Sequence, residues 1–140
     1  MCELFGLSSN VEVGVRISFT EFFYHSYSRD NPHGWGVGFY KDSDVVLLKE
    51  PEPAYGSALA DFLHKSDYVR SNIIISHIRR KSDGEISYRN THPFSRELLG
   101  VRWLFAHNGT VTPIKDMSQF KLNYYSTVGN TDSEYAFCYI

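Results

Sequence analysis

The first ten residues read MCELFGLSSN (Met1–Asn10), and the reading of the second position decides what kind of domain follows. A cysteine directly behind the initiator methionine has two meanings. Free cysteine is among the most buried residue types, so by its neighbours Cys2 is a small hydrophobe leading into the strand-like run CELFGLSS. By its position it is more than that. Removal of Met1, favoured when the next side chain is small, would leave Cys2 with both a thiol and a free α-amine. Such an amine titrates at about 7.7–8.0, which suits it to take a proton from a thiol near neutral pH. A nucleophile built in this way needs no separate histidine base.

Outward from that stretch the chain reads as one continuous unit. Its 140 residues suit a single domain, which at this size hides roughly 70% of its unfolded-state surface. Prolines and glycines are dispersed as punctuation, without a repeat or a low-complexity linker. A net charge of −2, with no long Lys/Arg run, leaves no electrostatic footprint for nucleic acid or an anionic membrane, and neither partner is expected. No stretch approaches the ~18 apolar residues of a membrane span, and the start lacks the basic-then-apolar layout of a signal peptide. A soluble cytoplasmic protein is expected, with Cys2 and Cys138 as reduced thiols.

SFTEFFYHSYSR places Phe19, Phe22, Phe23 and Tyr27 at helical spacing and predicts a helix capped by Ser18 or Thr20. GWGVGFY and DVVLLKEP predict a hairpin across KDSD, in which Gly34, Gly36 and Gly38 mark a close approach of the backbone to something else. SALADFLHK predicts a short helix. NIIISHIR and VRWLFAHNG are rich in β-branched and aromatic residues and predict strands whose polar ends carry the chemistry. In GNTDSEYAFCYI, Thr131 and Glu134 have the form of a capping box. The helix it opens is still running at Ile140 without a stop signal, so the chain is expected to be cut short there.

Several residues are candidates for chemistry. In FAHNGT the Asn108 side-chain amide and the Gly109 N–H are adjacent donors able to hold an oxyanion, although Asn-Gly is equally a common hairpin turn. Arg79 and Arg80 end an apolar strand. Alternation turns one inward and one outward, so at most one of the two is expected to grip a carboxylate, a surface arginine being the usual alternative. Asp132, in the first turn of the last helix, would complement the positive helix end or bind an ammonium group. The six histidines lack HExxH or other tight ligand spacing, and strand-end His77 and His107 read as hydrogen-bonded structural groups, so no metal is expected. NPHGWGVG has the wrong glycine spacing for a dinucleotide fingerprint and leads into a strand where a helix should open; no cofactor is expected.

Taken in order, Cys2, GWGVGFY, HIRRKSDG, NTHPF, FAHNGTV and GNTDSE resemble the class II glutamine amidotransferases, a branch of the N-terminal nucleophile hydrolases. The resemblance spans essentially the whole chain and is greatest to the stand-alone YafJ-like and γ-glutamyl hydrolase group. It implies an α+β fold, the four-layer αββα sandwich, with residues 1–140 as the N-terminal portion of the domain and later strands of the second sheet missing. It implies Cys2 as nucleophile, Asn108 and Gly109 as oxyanion hole, Arg79 on the glutamine α-carboxylate and Asp132 on its α-amino group. Ser82 stands near that carboxylate, where related enzymes often carry threonine. His33 stands where relatives often carry aspartate and Asp83 where some carry histidine, departures that touch the substrate loops and not the catalytic set. The implied reaction is hydrolysis of the γ-amide of glutamine or a γ-glutamyl compound through a Cys2 thioester, releasing glutamate and ammonia or an amine. Free glutamine would make the protein an ammonia donor to a synthase partner. The alternative is a non-catalytic amino-acid-binding or interaction domain that keeps the fold.

Overall fold

The computed structural model describes residues 1–111, 114 and 118–140. Four strands, β1 (Glu3–Gly14), β2 (Trp35–Lys41), β3 (Asp44–Glu50) and β4 (Arg70–Ile78), form an antiparallel sheet in the order β1-β4-β2-β3. The alternation in CELFGLSS continues to Gly14, well past the short strand it predicts, with a register shift against β4 between Ser8 and Val13. The β2–β3 hairpin turns within KDSD as expected. Asp42 and Ser43 both take positive φ, the conformation that a two-residue turn matched to strand twist requires.

One face of this sheet makes the main core. Trp35, Val37 and Phe39 of β2 and Ile74 and Ile78 of β4 are buried with Phe19, Phe22 and Phe23 of α1 (Arg16–Ser28) and Ala60 and Leu63 of α2 (Ala58–Lys65). The rings interlock, with Phe19–Phe23 centroids 4.9 Å apart and Phe23–Trp35 5.0 Å apart. Ser57 caps α2 by accepting the Ala60 N–H at 3.0 Å. The start of α1 departs from expectation. Neither Ser18 nor Thr20 caps it, because the helix begins at Arg16, and Thr20 donates back to the Arg16 carbonyl at 3.1 Å. Val15, at the cap position, is itself in the core, so burial fixes the entry that a cap would otherwise fix.

The other face carries a second, two-stranded antiparallel sheet, β5 (Phe94–Leu98) with β6 (Val101–Phe105). The glycines of β2 explain the close approach. A Cβ on Gly38 would lie 2.8 Å from Leu104 of β6, and one on Gly36 would collide with the His92 carbonyl. The last helix, α3 (Asp132–Tyr139), packs on the outer face of β5–β6, with Phe137 stacked on Phe105 at 5.0 Å and Glu134 paired with Arg96 at 2.5 Å. The layers therefore run helix, sheet, sheet, helix, as the resemblance implied. Thr131 caps α3 by accepting the Glu134 N–H at 3.2 Å. Only half of a capping box forms. The Glu134 carboxylate receives the N–H groups of Val128 and Gly129 along with Arg96, a denser set of donors than the cap residue offers. Among the described residues no helix is long and apolar enough to cross a membrane.

Candidate active site

The site forms where the strand ends meet. Register pairs Glu3 of β1 with Ile78 of β4, which brings Cys2 beside the residues that follow β4. Cys2 is partly exposed, and its thiol donates to the Arg80 carbonyl at 3.2 Å and accepts the Arg80 N–H at 3.1 Å. The backbone of Arg79 is tied to the segment before β2: its N–H donates to Gly34 O at 2.7 Å and its carbonyl accepts from His33 N at 3.1 Å. The alternation resolves in favour of Arg79. That side chain is 3% exposed and donates to the carbonyls of Asp83 (2.8 Å) and Glu85 (2.9 Å). Arg80 points outward, half exposed, with Asp30 at 3.5 Å. Burial lowers the pKa of Arg79, against the opposing pull of Cys2 and Asp83.

The end of β6 supplies the second wall. Asn108 donates its side-chain amide to the Cys2 carbonyl at 2.8 Å. Gly109 has φ +155°, and a Cβ there would lie 2.9 Å from His107 Nε2, so the position admits only glycine. Among the described residues no strand follows to make Asn108–Gly109 a hairpin turn. His107 Nδ1 lies 3.0 Å from the Ser133 hydroxyl, which ties this end to α3. Asp132 is 7% exposed, and its carboxylate accepts from Val111 N (2.5 Å), Ser133 N (2.7 Å) and the Ser133 hydroxyl (3.3 Å). Asp132 thus accepts a first-turn N–H at the positive end of α3 and ties the loop at Val111 to it.

Cys2, Arg79, Ser82, Gly109 and Asp132 line one pocket, and Asn108 joins them through the Cys2 carbonyl. The pocket is narrow, ≈ 20 Å³, about the room one water molecule needs. A larger cavity of ≈ 430 Å³ between α1 and α2, walled by Tyr24, Tyr55 and His64, contains none of the candidate site residues. The two departures from the family pattern both organise the loop over the site. His33 Nδ1 accepts from Lys81 N at 2.9 Å, and Asp83 accepts the Asp132 N–H at 3.0 Å.

Three residues escaped the sequence reading. His77, expected to be hydrogen-bonded, interacts with the backbone of His107, but among the described residues neither of its ring nitrogens, nor either of those of His92, has a partner at good hydrogen-bond geometry. Burial and then the Arg79 charge push His77 down to about 3; burial and then His77 and Arg79 hold His92 well below its ordinary value. Both shifts favour the neutral ring. Lys49 looks in sequence like the charged end of a hairpin strand, yet it is buried between the sheets. It donates to Thr91 O at 2.7 Å and lies 4.8 Å from the centre of the Tyr88 ring, and burial pulls it down to about 8. The signal for His92 was the NTHPF motif; nothing in the local pattern marks Lys49.

Comparison with known proteins bears on this geometry. YafJ of Escherichia coli is 39% identical over 143 residues, covering 100% of this chain and 54% of YafJ. The crystal structure of a predicted glutamine amidotransferase from Pseudomonas aeruginosa superposes with a TM-score of 0.61 at 32% identity, over 98% of this chain and 53% of that one. The γ-glutamyl-hercynylcysteine sulfoxide hydrolase of Mycobacterium tuberculosis is 33% identical over 82 residues, 58% of this chain and 33% of the relative. The chain thus spans about half the length of the first two. The model of the family described as glutamine amidotransferases class-II matches residues 1–140, and with full-length similarity in sequence and fold the chain belongs to the class II glutamine amidotransferases.

Proposed function

We propose that this chain is the N-terminal portion of a domain that hydrolyses the γ-amide of glutamine or a γ-glutamyl compound through a thioester on Cys2. The observation that carries the reading is the meeting of a thiol, a buried guanidinium, an acidic side chain and an amide donor around one pocket. Once Met1 is removed, the Cys2 α-amine takes the thiol proton, directly or through a water. The thiolate then adds to the γ-carbonyl carbon. Asn108 and Gly109 donate to the oxyanion, the C–N bond breaks, ammonia or an amine leaves with the proton, and water releases glutamate and the thiol. Arg79 and Asp132 hold the α-carboxylate and α-amino group, with Ser82 beside the carboxylate, so the carbonyl lies over the sulfur. A cytoplasmic setting suits a thiol that must stay reduced.

Substrate choice is tested by comparing glutamine with γ-glutamyl anilides and glutathione. An ammonia donor to a synthase should turn over glutamine and reject bulky leaving groups, whereas a stand-alone γ-glutamyl hydrolase, the activity named for the mycobacterial relative, should accept them. Cys2→Ala should abolish turnover of every substrate. Undiminished turnover in that variant would refute the thioester route, and amino-acid binding without any turnover in the wild type would favour a binding domain.

A further inference from the structure

We infer that Asn90, outside the pocket, is a positioning residue that sets the spacing between Arg79 and Asp132, the two side chains proposed to hold the ends of the amino-acid head. This rests on the proposed function for the roles of those two residues. Asn90 is the first residue of the NTHPF run, and it is fully buried although it lines no part of the Cys2 pocket. Its amide is used at both ends. The side-chain oxygen accepts the main-chain N–H of Asn130 at 2.9 Å, and the nitrogen donates to the Glu85 carbonyl at 3.0 Å and to the Asn130 side-chain oxygen at 2.7 Å. A main-chain donor at one end and a main-chain acceptor at the other admit a single orientation of this amide.

These bonds join the segments that carry the two charged groups. Glu85 O also accepts the Arg79 guanidinium at 2.9 Å, so Arg79 and Asn90 share one carbonyl. Asn130 stands two residues before Asp132, with Thr131, the cap of α3, between them. Arg79 is thus linked to the start of α3 through Glu85, Asn90 and Asn130. Asp83 makes a second, shorter link: its carbonyl accepts from Arg79 at 2.8 Å and its carboxylate accepts the Asp132 N–H at 3.0 Å. The backbone around the longer link is shaped to admit it. A Cβ on Gly129 would collide with the Asn90 side-chain oxygen, and one on Gly84 would lie 2.8 Å from the Asn130 side-chain oxygen and 3.1 Å from the Asn90 nitrogen. Asn90 is itself anchored to the first sheet, because Lys49 of β3 donates to the adjoining carbonyl, Thr91 O, at 2.7 Å. A neutral amide braced in this way fixes a distance without adding charge to the pocket. An ammonium and a carboxylate on one carbon engage both groups only at one spacing, so the brace favours an α-amino-acid head over an acid that carries one of the two charges.

Competitive inhibition of γ-glutamyl anilide turnover by three small acids, on the processed, natural-length protein, reads this spacing apart from the chemistry. Glutamate carries both ends of the head, glutarate lacks the amine and 4-aminobutyrate lacks the α-carboxylate. The wild type should hold glutamate more tightly than either. Asn90→Ala should weaken glutamate by about tenfold or more and change the two single-ended acids by less than about twofold, since each group still meets its own charge and only their register is lost. Asn130→Ala removes one acceptor at an exposed residue and leaves its main-chain N–H in place, so it should narrow the same preference by a smaller factor. If Asn90→Ala does not fold, an unchanged preference in Asn130→Ala overturns the inference. In a folded Asn90→Ala, equal weakening of all three acids would reveal a loop staple with no part in spacing, and unchanged glutamate inhibition would reveal no part at all; either result overturns the inference. A wild type that hydrolyses the anilide yet holds glutamate no better than the single-ended acids would remove the two-ended grip itself, and the role of Asn90 with it. A wild type that turns over no γ-glutamyl amide would sink the proposed reaction instead, and calorimetric titration of the same three acids would still decide the spacing.

Discussion

Cys2 is positioned by backbone, with its sulfur between the N–H and carbonyl of Arg80, while its own carbonyl receives the Asn108 amide. The donor proposed for the oxyanion thus already lies against the proposed nucleophile. Asn108→Ala should slow turnover by about 10²- to 10³-fold with substrate affinity little changed, as loss of an oxyanion donor does elsewhere. A drop below tenfold in steady-state kinetics would remove Asn108 from that role. The adjacent arginines give a paired test. Arg79→Ala should raise KM sharply, because its buried guanidinium faces the pocket, whereas Arg80→Ala should leave KM near wild type, since it faces solvent and Asp30. The reverse pattern would transfer the carboxylate clamp to Arg80. That one arginine of the pair would face inward was legible in sequence from strand alternation; which one it is shows only in the structure. Asp132 was legible only as a choice between helix-end acceptor and ligand, and its carboxylate accepts the first-turn N–H of Ser133 together with the loop N–H of Val111.

The strands and helices follow the apolar periodicity closely, and the misreadings fall where tertiary burial outweighs a local rule. Val15 opens α1 from the core without a capping side chain, and Glu134 abandons the reciprocal half of its capping box for Arg96 and two loop N–H groups. The surviving half has a measurable effect: Thr131→Ala should lower stability by about 1 kcal/mol in denaturant unfolding. His77 and Lys49 show the same limit. Each sits on a strand of ordinary composition, and only the stacking of the second sheet shows which of its faces is dry. Their burial has a pH signature. His77 and His92 bind protons near pH 6.5 when unfolded, whereas the folded rings stay neutral down to about 3 for His77 and well below the ordinary value for His92. The unfolded state therefore takes up more protons in that window. Stability should be fully present above pH 6.5 and fall as pH drops toward 3, at up to about 1.4 kcal/mol per pH unit for each ring. Denaturant midpoints measured across this range should flatten in His77→Asn; an unchanged slope would count against a buried, neutral ring.

On the scale of the molecule, two sheets press together through the glycines of β2, and helices cover the outer faces. The order of layers followed from the motif series, since no single run of residues specifies which face of a sheet meets which partner. The packing of α1 on the first sheet is the mechanical base of the site, because β1 and β4 carry Cys2 and Arg79 at their ends. Phe19, fully buried there, should lower stability by about 3–5 kcal/mol when replaced by alanine. A calorimetric loss under 1 kcal/mol would mean that this layer does not support the sheet. The central claim, an N-terminal cysteine that attacks a glutamine-like amide, is tested most directly by intact mass before and after exposure to an electrophilic glutamine analogue such as a diazoketone. The account predicts a starting mass lacking Met1 and a single adduct that maps to Cys2. A folded protein from which Met1 has gone, yet whose Cys2 stays unlabelled, would contradict it.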